Sequence, residues 1–258
     1  MLHIIETKNN LVVQDTPNNL DGLLGNDIPE PLPTHSGFNM LIAGSSGSGK
    51  TTLLYSIMTK KRKHGIRQSY LKIFHKIYII SPTLGGESMK ADIFSKLPGN
   101  QKWRSLTIDA LEDLRDALEE NRKDNRHSIV ILDDVGSTLK KSAAVEKTLI
   151  SLMQNRRHLY TSFITLVQRL RDVPTGIRNN LSHFASFRPR NRPELEAICQ
   201  ELIPFDRKKC SQLFSHIFDN ETTSHPFLFI DMSLKKSNKF LYYSGFNPLS
   251  IEDPDDHS

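Results

Sequence analysis

The string Gly-Ser-Ser-Gly-Ser-Gly-Lys-Thr at residues 44–51 sets a glycine-rich loop between two segments of different character. Before it, Phe38 to Ala43 is a short apolar run of strand type. After it, Thr52 to Lys60 carries Leu53-Leu54 and Ile57-Met58 at helical spacing. A buried strand that passes through such a loop into a helix is the opening unit of an α/β fold. Glycines at 44, 47 and 49 are expected to permit positive φ and close approach to an anion, so that backbone N–H groups cradle phosphates at the helix N-terminus. The cradle runs through Gly44, Ser45, Ser46, Gly47, Ser48, Gly49, Lys50, Thr51 and Thr52. Lys50 is expected to reach the β and γ oxygens of a nucleotide, and the Thr51 hydroxyl to ligate Mg²⁺. A serine-rich surface turn that happens to carry a lysine is the plain alternative, and it explains neither flank.

The same alternation continues downstream. Strand-like runs lie at Lys76 to Ile80, Leu106 to Ile108, Ser128 to Leu132, Ser162 to Val167 and His183 to Phe187. Helical patterns occupy Leu111 to Arg122 and Ala143 to Arg157. Strands alternating with helices predict a mainly parallel sheet with helices on both faces. After Arg192 the pattern changes to two helices, Pro193 to Leu202 and Asp206 to Phe218, and then to a hairpin of Phe227 to Asp231 with Phe240 to Tyr243. The expected organisation is an arm over 1–36, a core over 37–192, C-terminal helices and hairpin over 193–249, and a disordered acidic tail over 250–258.

Composition narrows the class. With 258 residues, 37% of them hydrophobic, the chain can bury a core as one domain. No apolar run approaches the roughly 18 residues of a membrane span, and the N-terminus lacks the pattern of a signal peptide. Cys199 and Cys210 have neither a CxxC partner nor metal-ligand spacing. They read as reduced thiols in a cytosol-like compartment, with no zinc site. A net charge of +5 permits a nucleic-acid partner without requiring one.

A second motif completes a nucleotide site. Ile129-Val130-Ile131-Leu132 is an apolar strand that runs into Asp133-Asp134. In the presence of the phosphate loop, Asp133 is assigned to Mg²⁺ and Asp134 to general-base activation of the attacking water. In isolation the string is more simply a strand entering an acidic turn. The strand Phe163 to Val167 ends in Gln168, a candidate reporter of the γ-phosphate and also a residue type that strand ends commonly carry.

From Gln154 to Pro189 the chain reads QNRRHLYTSFITLVQRLRDVPTGIRNNLSHFASFRP. Arg156-Arg157-His158, Gln168 and Thr175-Gly176-Ile177-Arg178-Asn179-Asn180, in that order, resemble the FtsK/HerA superfamily of P-loop ATPases. Within it, the Asp-Asp pair and the Arg-His before the Gln strand are most similar to the genome-packaging ATPases of large DNA viruses, virophages and virus-like transposons. The resemblance covers about residues 38 to 190. It implies a RecA-like core with an additional strand between the phosphate-loop (Walker A) and carboxylate (Walker B) strands. It also implies ATP and Mg²⁺ as cofactors and a homo-oligomeric ring, a hexamer, that moves double-stranded DNA independently of sequence into a preformed capsid. Capsid or portal proteins would be further partners, and the setting the cytosol-like compartment of an infected cell. A ring interface implies a cation delivered to the neighbour's γ-phosphate, with Arg156 and Arg157 as catalytic candidates and Arg178 third. Each also reads as an ordinary surface arginine. Two basic groups, Lys60-Lys61-Arg62-Lys63-His64 with Arg67 and Arg188 with Arg190 and Arg192, are candidates for phosphate contact. The first reads equally well as a solvated helix end.

Other functions share the phosphate loop. A small-molecule kinase would carry an arginine-rich lid and an acceptor pocket, for which the sequence has no signal. A replication-associated ATPase or helicase is nearer, and an ATP-binding scaffold would have no need of an intact Lys50, Thr51, Asp133 and Asp134.

Overall fold

The structure is a computed structural model, and it describes residues 28, 31–59, 70–83, 93–219, 224–233 and 241–250. Most of the expected arm, the basic run at 60–67 and the acidic tail lie outside the described residues.

In chain order the described elements are β1 (Asn39–Ala43), α1 (Lys50–Thr59), α2 (Tyr70–Ile73), β2 (Lys76–Ile80), β3 (Lys102–Trp103), α3 (Ile108–Lys123), β4 (Ser128–Asp133), α4 (Gly136–Lys141), α5 (Ala143–Gln154), β5 (Thr161–Val167), α6 (Thr175–Arg178), β6 (His183–Phe187), α7 (Arg192–Leu202), α8 (Arg207–Asp219), β7 (Phe227–Asp231), β8 (Leu241–Ser244) and β9 (Asn247–Pro248). The strands form one nine-stranded sheet in the order β3-β2-β4-β5-β1-β6-β7-β8-β9. Strands β1 to β6 pair in parallel, and β7, β8 and β9 extend the sheet antiparallel. The expected α/β class with a mainly parallel sheet is what folds. So is the additional strand, since β5 lies between the phosphate-loop strand β1 and the carboxylate strand β4.

Why these strands are apolar throughout, rather than alternating, follows from burial on both faces. In β1, Met40 and Ile42 join one core while Leu41 and Ala43 join the other. In β4, Ile129 and Ile131 face the first core, and Val130 and Leu132 the second. Helices α1 and α2 cover the first face, and α3, α5, α7 and α8 cover the second. Phe163 of β5 is fully buried at the centre of the second core. Truncation by Phe163→Ala is expected to cost about 3–5 kcal/mol, read as a lower denaturant midpoint at unchanged slope.

Several local expectations are corrected. Leu106 to Ile108 is not a strand: the Thr107 hydroxyl accepts from Ala110 N at 3.1 Å and caps α3, which starts at Ile108. A cap with Asp109 in the first turn outweighs the β-propensity of Thr and Ile. The strand on that flank is the two-residue β3. Helix α5 ends at Gln154 rather than continuing to Arg157, so the Arg156-Arg157 pair sits in the turns beyond it. The short helix α4, directly after the Asp-Asp pair, has no counterpart among the expected elements.

The cysteine expectation is overturned. Cys199 of α7 and Cys210 of α8 form a disulfide with Cα atoms 6.0 Å apart, a separation suited to the bond. The two helices pack side by side and bring together residues whose spacing carries no motif. The compartment argument drawn from free thiols falls with it. The bridge closes a loop of 11 residues, so reduction is expected to destabilise the chain by about 3 kcal/mol. A thermal melt with and without dithiothreitol, with Cys210→Ser as the unreducible reference, measures it.

Candidate functional site

The C-terminal ends of adjacent parallel strands bring the sequence-predicted residues together. The phosphate loop leaves β1 at Gly44, whose N–H donates to Val167 O at 3.1 Å and ties it to the end of β5. Gly47 (φ +77°) and Gly49 (φ +108°) take the left-handed conformations that only glycine adopts easily. Gly44 is different: its φ is ordinary, but a Cβ there would meet Ser48 Oγ at 2.5 Å and Phe187 Cβ at 2.9 Å, so close packing is what requires glycine.

Lys50 is the first residue of α1. Its Nζ donates to Gly44 O at 2.7 Å and Ser45 O at 2.9 Å, spanning the loop from the inside. Burial lowers its pKa from the ordinary lysine value, and the charges of Asp133 and Asp134 partly oppose that shift. Both carboxylates therefore lie within the electrostatic reach of the lysine. The Ser48 hydroxyl is buried and has no hydrogen-bond partner. A cradle of backbone N–H groups, one cation and an unpaired hydroxyl fits a polyphosphate.

Asp133 ends β4, half-buried, and Asp134 follows it, exposed, with φ +52°. That left-handed turn aims the two carboxylates differently, a conformation aspartate tolerates better than most residues. Asp133 Oδ2 accepts from Ser81 Oγ at 3.0 Å and Thr83 Oγ1 at 3.4 Å. Burial raises the Asp133 pKa, while the Ser81 bond pulls it back toward the carboxylate range. Asp134 takes a long contact of 3.5 Å from Gln168 Nε2. Gln168 and Asp134 thus share the C-terminal ends of the adjacent strands β5 and β4. Ser81 and Thr83 were not anticipated. They follow the strand Lys76 to Ile80, but only the pairing of β2 with β4 shows that its end meets Asp133. Among the described residues no group of three or more His, Cys, Asp or Glu gathers as a metal cage. Asp133 and the Thr51 hydroxyl suit a hard cation that takes its remaining ligands from phosphate and water.

The arginines separate. Arg156 and Arg157 lie at the opposite, N-terminal ends of the central strands, just before β5 and beside the chain entering β1. Arg156 donates to Gly37 O at 2.7 Å and Met153 O at 2.8 Å, fastening the end of α5 to the chain entering β1. Gly37 is seven residues of mostly extended chain from Gly44, roughly 20 Å. Arg157 is the more exposed of the pair. Arg178 is committed within the fold, with 14% of its side chain exposed and its guanidinium on Glu201 at 2.6 Å. Arg188 and Arg190 flank the phosphate loop itself, lining a cleft of about 410 Å³ with Gly44, Ser45, Gln168 and Arg169. Arg188 is held by Asp219 at 2.8 Å, and Arg192 by Glu196 at 3.1 Å. No helix among the described residues is long and apolar enough to cross a membrane.

Residues 33–244, which contain this whole arrangement, match the family described as poxvirus A32 protein. The chain belongs to the poxvirus A32 protein family. It is 34% identical over 154 residues to the DNA packaging protein OPG160 of vaccinia virus (strain Copenhagen), covering 58% of this chain and 53% of that protein. It therefore spans about half the length of the curated relatives that it matches. Among solved structures, it is similar to B204, the DNA-packaging ATPase from Sulfolobus turreted icosahedral virus. That match has a TM-score of 0.57 and 16% identity, over 81% of this chain and 98% of that one. The genome packaging NTPase B204 of Sulfolobus turreted icosahedral virus 2, in complex with ATP-gammaS, matches with a TM-score of 0.55 and 17% identity over 81% and 97% of the two chains. At those identities the shared property is the fold. The resemblance to viral packaging ATPases read from the motif order is borne out by the A32 family and by this fold.

Proposed function

We propose that this A32-family chain is an ATPase that moves double-stranded DNA into a viral capsid, hydrolysing ATP where copies of the chain meet in a ring. The observation that carries this reading is the convergence of Lys50, Asp133, Asp134 and Gln168 at the C-terminal ends of the central strands, beside the cradle of residues 44–51. The vaccinia virus relative, a DNA packaging protein, supports the choice of work.

In this reading the loop amides and Lys50 bind the β- and γ-phosphates, and Thr51 with Asp133 would hold Mg²⁺. The ion supplies charge neutralisation on the phosphate oxygens. Asp134 accepts a proton from the water whose oxygen bonds to the γ-phosphorus as the bond to the β-bridging oxygen breaks, leaving ADP and phosphate. Gln168, reaching Asp134, orients that water. Ser81 and Thr83 favour the ionised form of Asp133 against its burial and hold it aimed. Among the described residues, nothing brings Arg156 or Arg157 to the chain's own loop. Arg157, exposed at the N-terminal ends of the parallel strands, is assigned to a neighbour's γ-phosphate, and Arg156 to the turn that presents it. DNA is held through phosphates without base readout. Ring size, a hexamer by resemblance, and the capsid or portal partner belong to the same proposal.

The test is hydrolysis measured with and without blunt duplex DNA, beside the mass of the assembly. Release of phosphate to water, stimulated by duplex without strand separation, is expected, with a mass of several chains. Unwinding of a forked duplex would instead support a helicase, and phosphate passed to an acceptor would support a kinase.

A further inference from the structure

Arg169, next to Gln168, stands where the fold has no need of a second cation. Asp172, with 12% of its side chain exposed, is already paired with Lys140 of α4 at 2.5 Å. Arg169 adds two longer contacts to the same carboxylate, its terminal nitrogen to Oδ1 at 3.2 Å and its Nε to Oδ2 at 3.4 Å, while 61% of its own side chain stays exposed. Burial alone would raise the Asp172 pKa, but the bonds from Lys140 and Arg169 outweigh it and hold the carboxyl below the ordinary aspartate value. The turn carrying these residues is anchored by other means. Leu170 N donates to buried Glu194 of α7 at 2.6 Å, and Asp172 packs so closely on Gly136 that a Cβ there would lie 2.9 Å from its own Cβ. Releasing Arg169 therefore leaves neither the turn unsupported nor the carboxylate unpaired. The same arginine lines the cleft that opens beside Gly44 and Ser45. Across that cleft, Arg188 is drawn away toward α8 by Asp219 and Phe218 O.

We propose that Arg169 is a contact to the γ-phosphate from within the same chain, leaving Asp172 for the phosphate when a nucleoside triphosphate is bound while Lys140 keeps Asp172 in place. The inference rests on the ATP-site reading above. It makes the residue after Gln168 a discriminator between triphosphate and diphosphate, linked through Asp172 to the helix that follows Asp134. A guanidinium suits the task because it can hold two phosphate oxygens at once.

The experiment is calorimetric titration of the full chain, with Mg²⁺ present, by ATP-gammaS and separately by ADP. In Arg169→Ala, ATP-gammaS affinity is expected to fall about tenfold or more while ADP affinity changes by less than about twofold, the scale of one charge-assisted contact. Arg169→Gln, which keeps length and polarity, is read against the same criterion and guards against misfolding of the alanine variant. Equal losses for both nucleotides, no loss for either, or a triphosphate-specific loss in Arg190→Ala instead, overturns the inference. If the unmutated chain binds neither nucleotide, the ATP-site reading fails and this inference with it. If the unmutated chain binds ATP-gammaS and the Arg169 variants match it, only the inference fails.

Discussion

Lys50→Ala is expected to abolish ATP hydrolysis, a loss of at least about a thousandfold, and to leave the fold unchanged. In the structure Lys50 Nζ spans the phosphate loop between Gly44 O and Ser45 O with both aspartates near. It is therefore placed to exchange carbonyl oxygens for the β and γ oxygens. Its removal deletes a charge on which the transferring phosphoryl group depends, in a half-buried site where water replaces it poorly. It deletes little packing, because the apolar contacts of α1 come from Leu53, Leu54, Ile57 and Met58. Turnover and circular dichroism measured on one preparation separate the two effects. Hydrolysis persisting in the variant would remove Lys50 from the site.

Asp134→Asn is the second large effect. An amide keeps the shape and the contact with Gln168 but cannot accept the water's proton, so turnover is expected to fall about a hundred- to ten-thousandfold with ATP affinity nearly unchanged. Arg157→Ala is expected to behave alike for a different reason, since in the proposed ring its guanidinium would serve the adjoining chain. Mixing the two variants should restore part of the activity, because some interfaces then pair an intact Asp134 with an intact Arg157. Absence of recovery, with each variant shown to co-assemble, would place the cation elsewhere or within the same chain. Replacing Arg156 should instead lower stability, as its bonds to Gly37 O and Met153 O are internal.

The sequence was most legible where one residue type has one physical use. A loop needing positive φ at Gly47 and Gly49, followed by Lys50 and Thr51, has few alternatives, and an apolar strand ending in Asp133-Asp134 has few beside such a loop. Strands β4, β5 and β6 were readable because burial on both faces makes them continuously apolar. Legibility failed where the deciding term is local capping or distant packing. Thr107 starts a helix by accepting from Ala110 N at 3.1 Å, against the strand propensity of its neighbours. Cys199 and Cys210 meet only because α7 and α8 pack side by side.

What the sequence determined by itself is the chemistry: a phosphate cradle and lysine between β1 and α1, two carboxylates at the end of β4 and a glutamine at the end of β5, each placed by local pattern. The tertiary structure decided which of these act together. Because β5 inserts between β1 and β4, Gln168 meets Asp134; because β2 lies beside β4, Ser81 and Thr83 steady Asp133. The same topology leaves Arg157 at the N-terminal ends of the parallel strands and Arg169 in the cleft at the other end. Strand order is set by long-range burial, and a linear pattern of residues carries no record of which strand ends become neighbours.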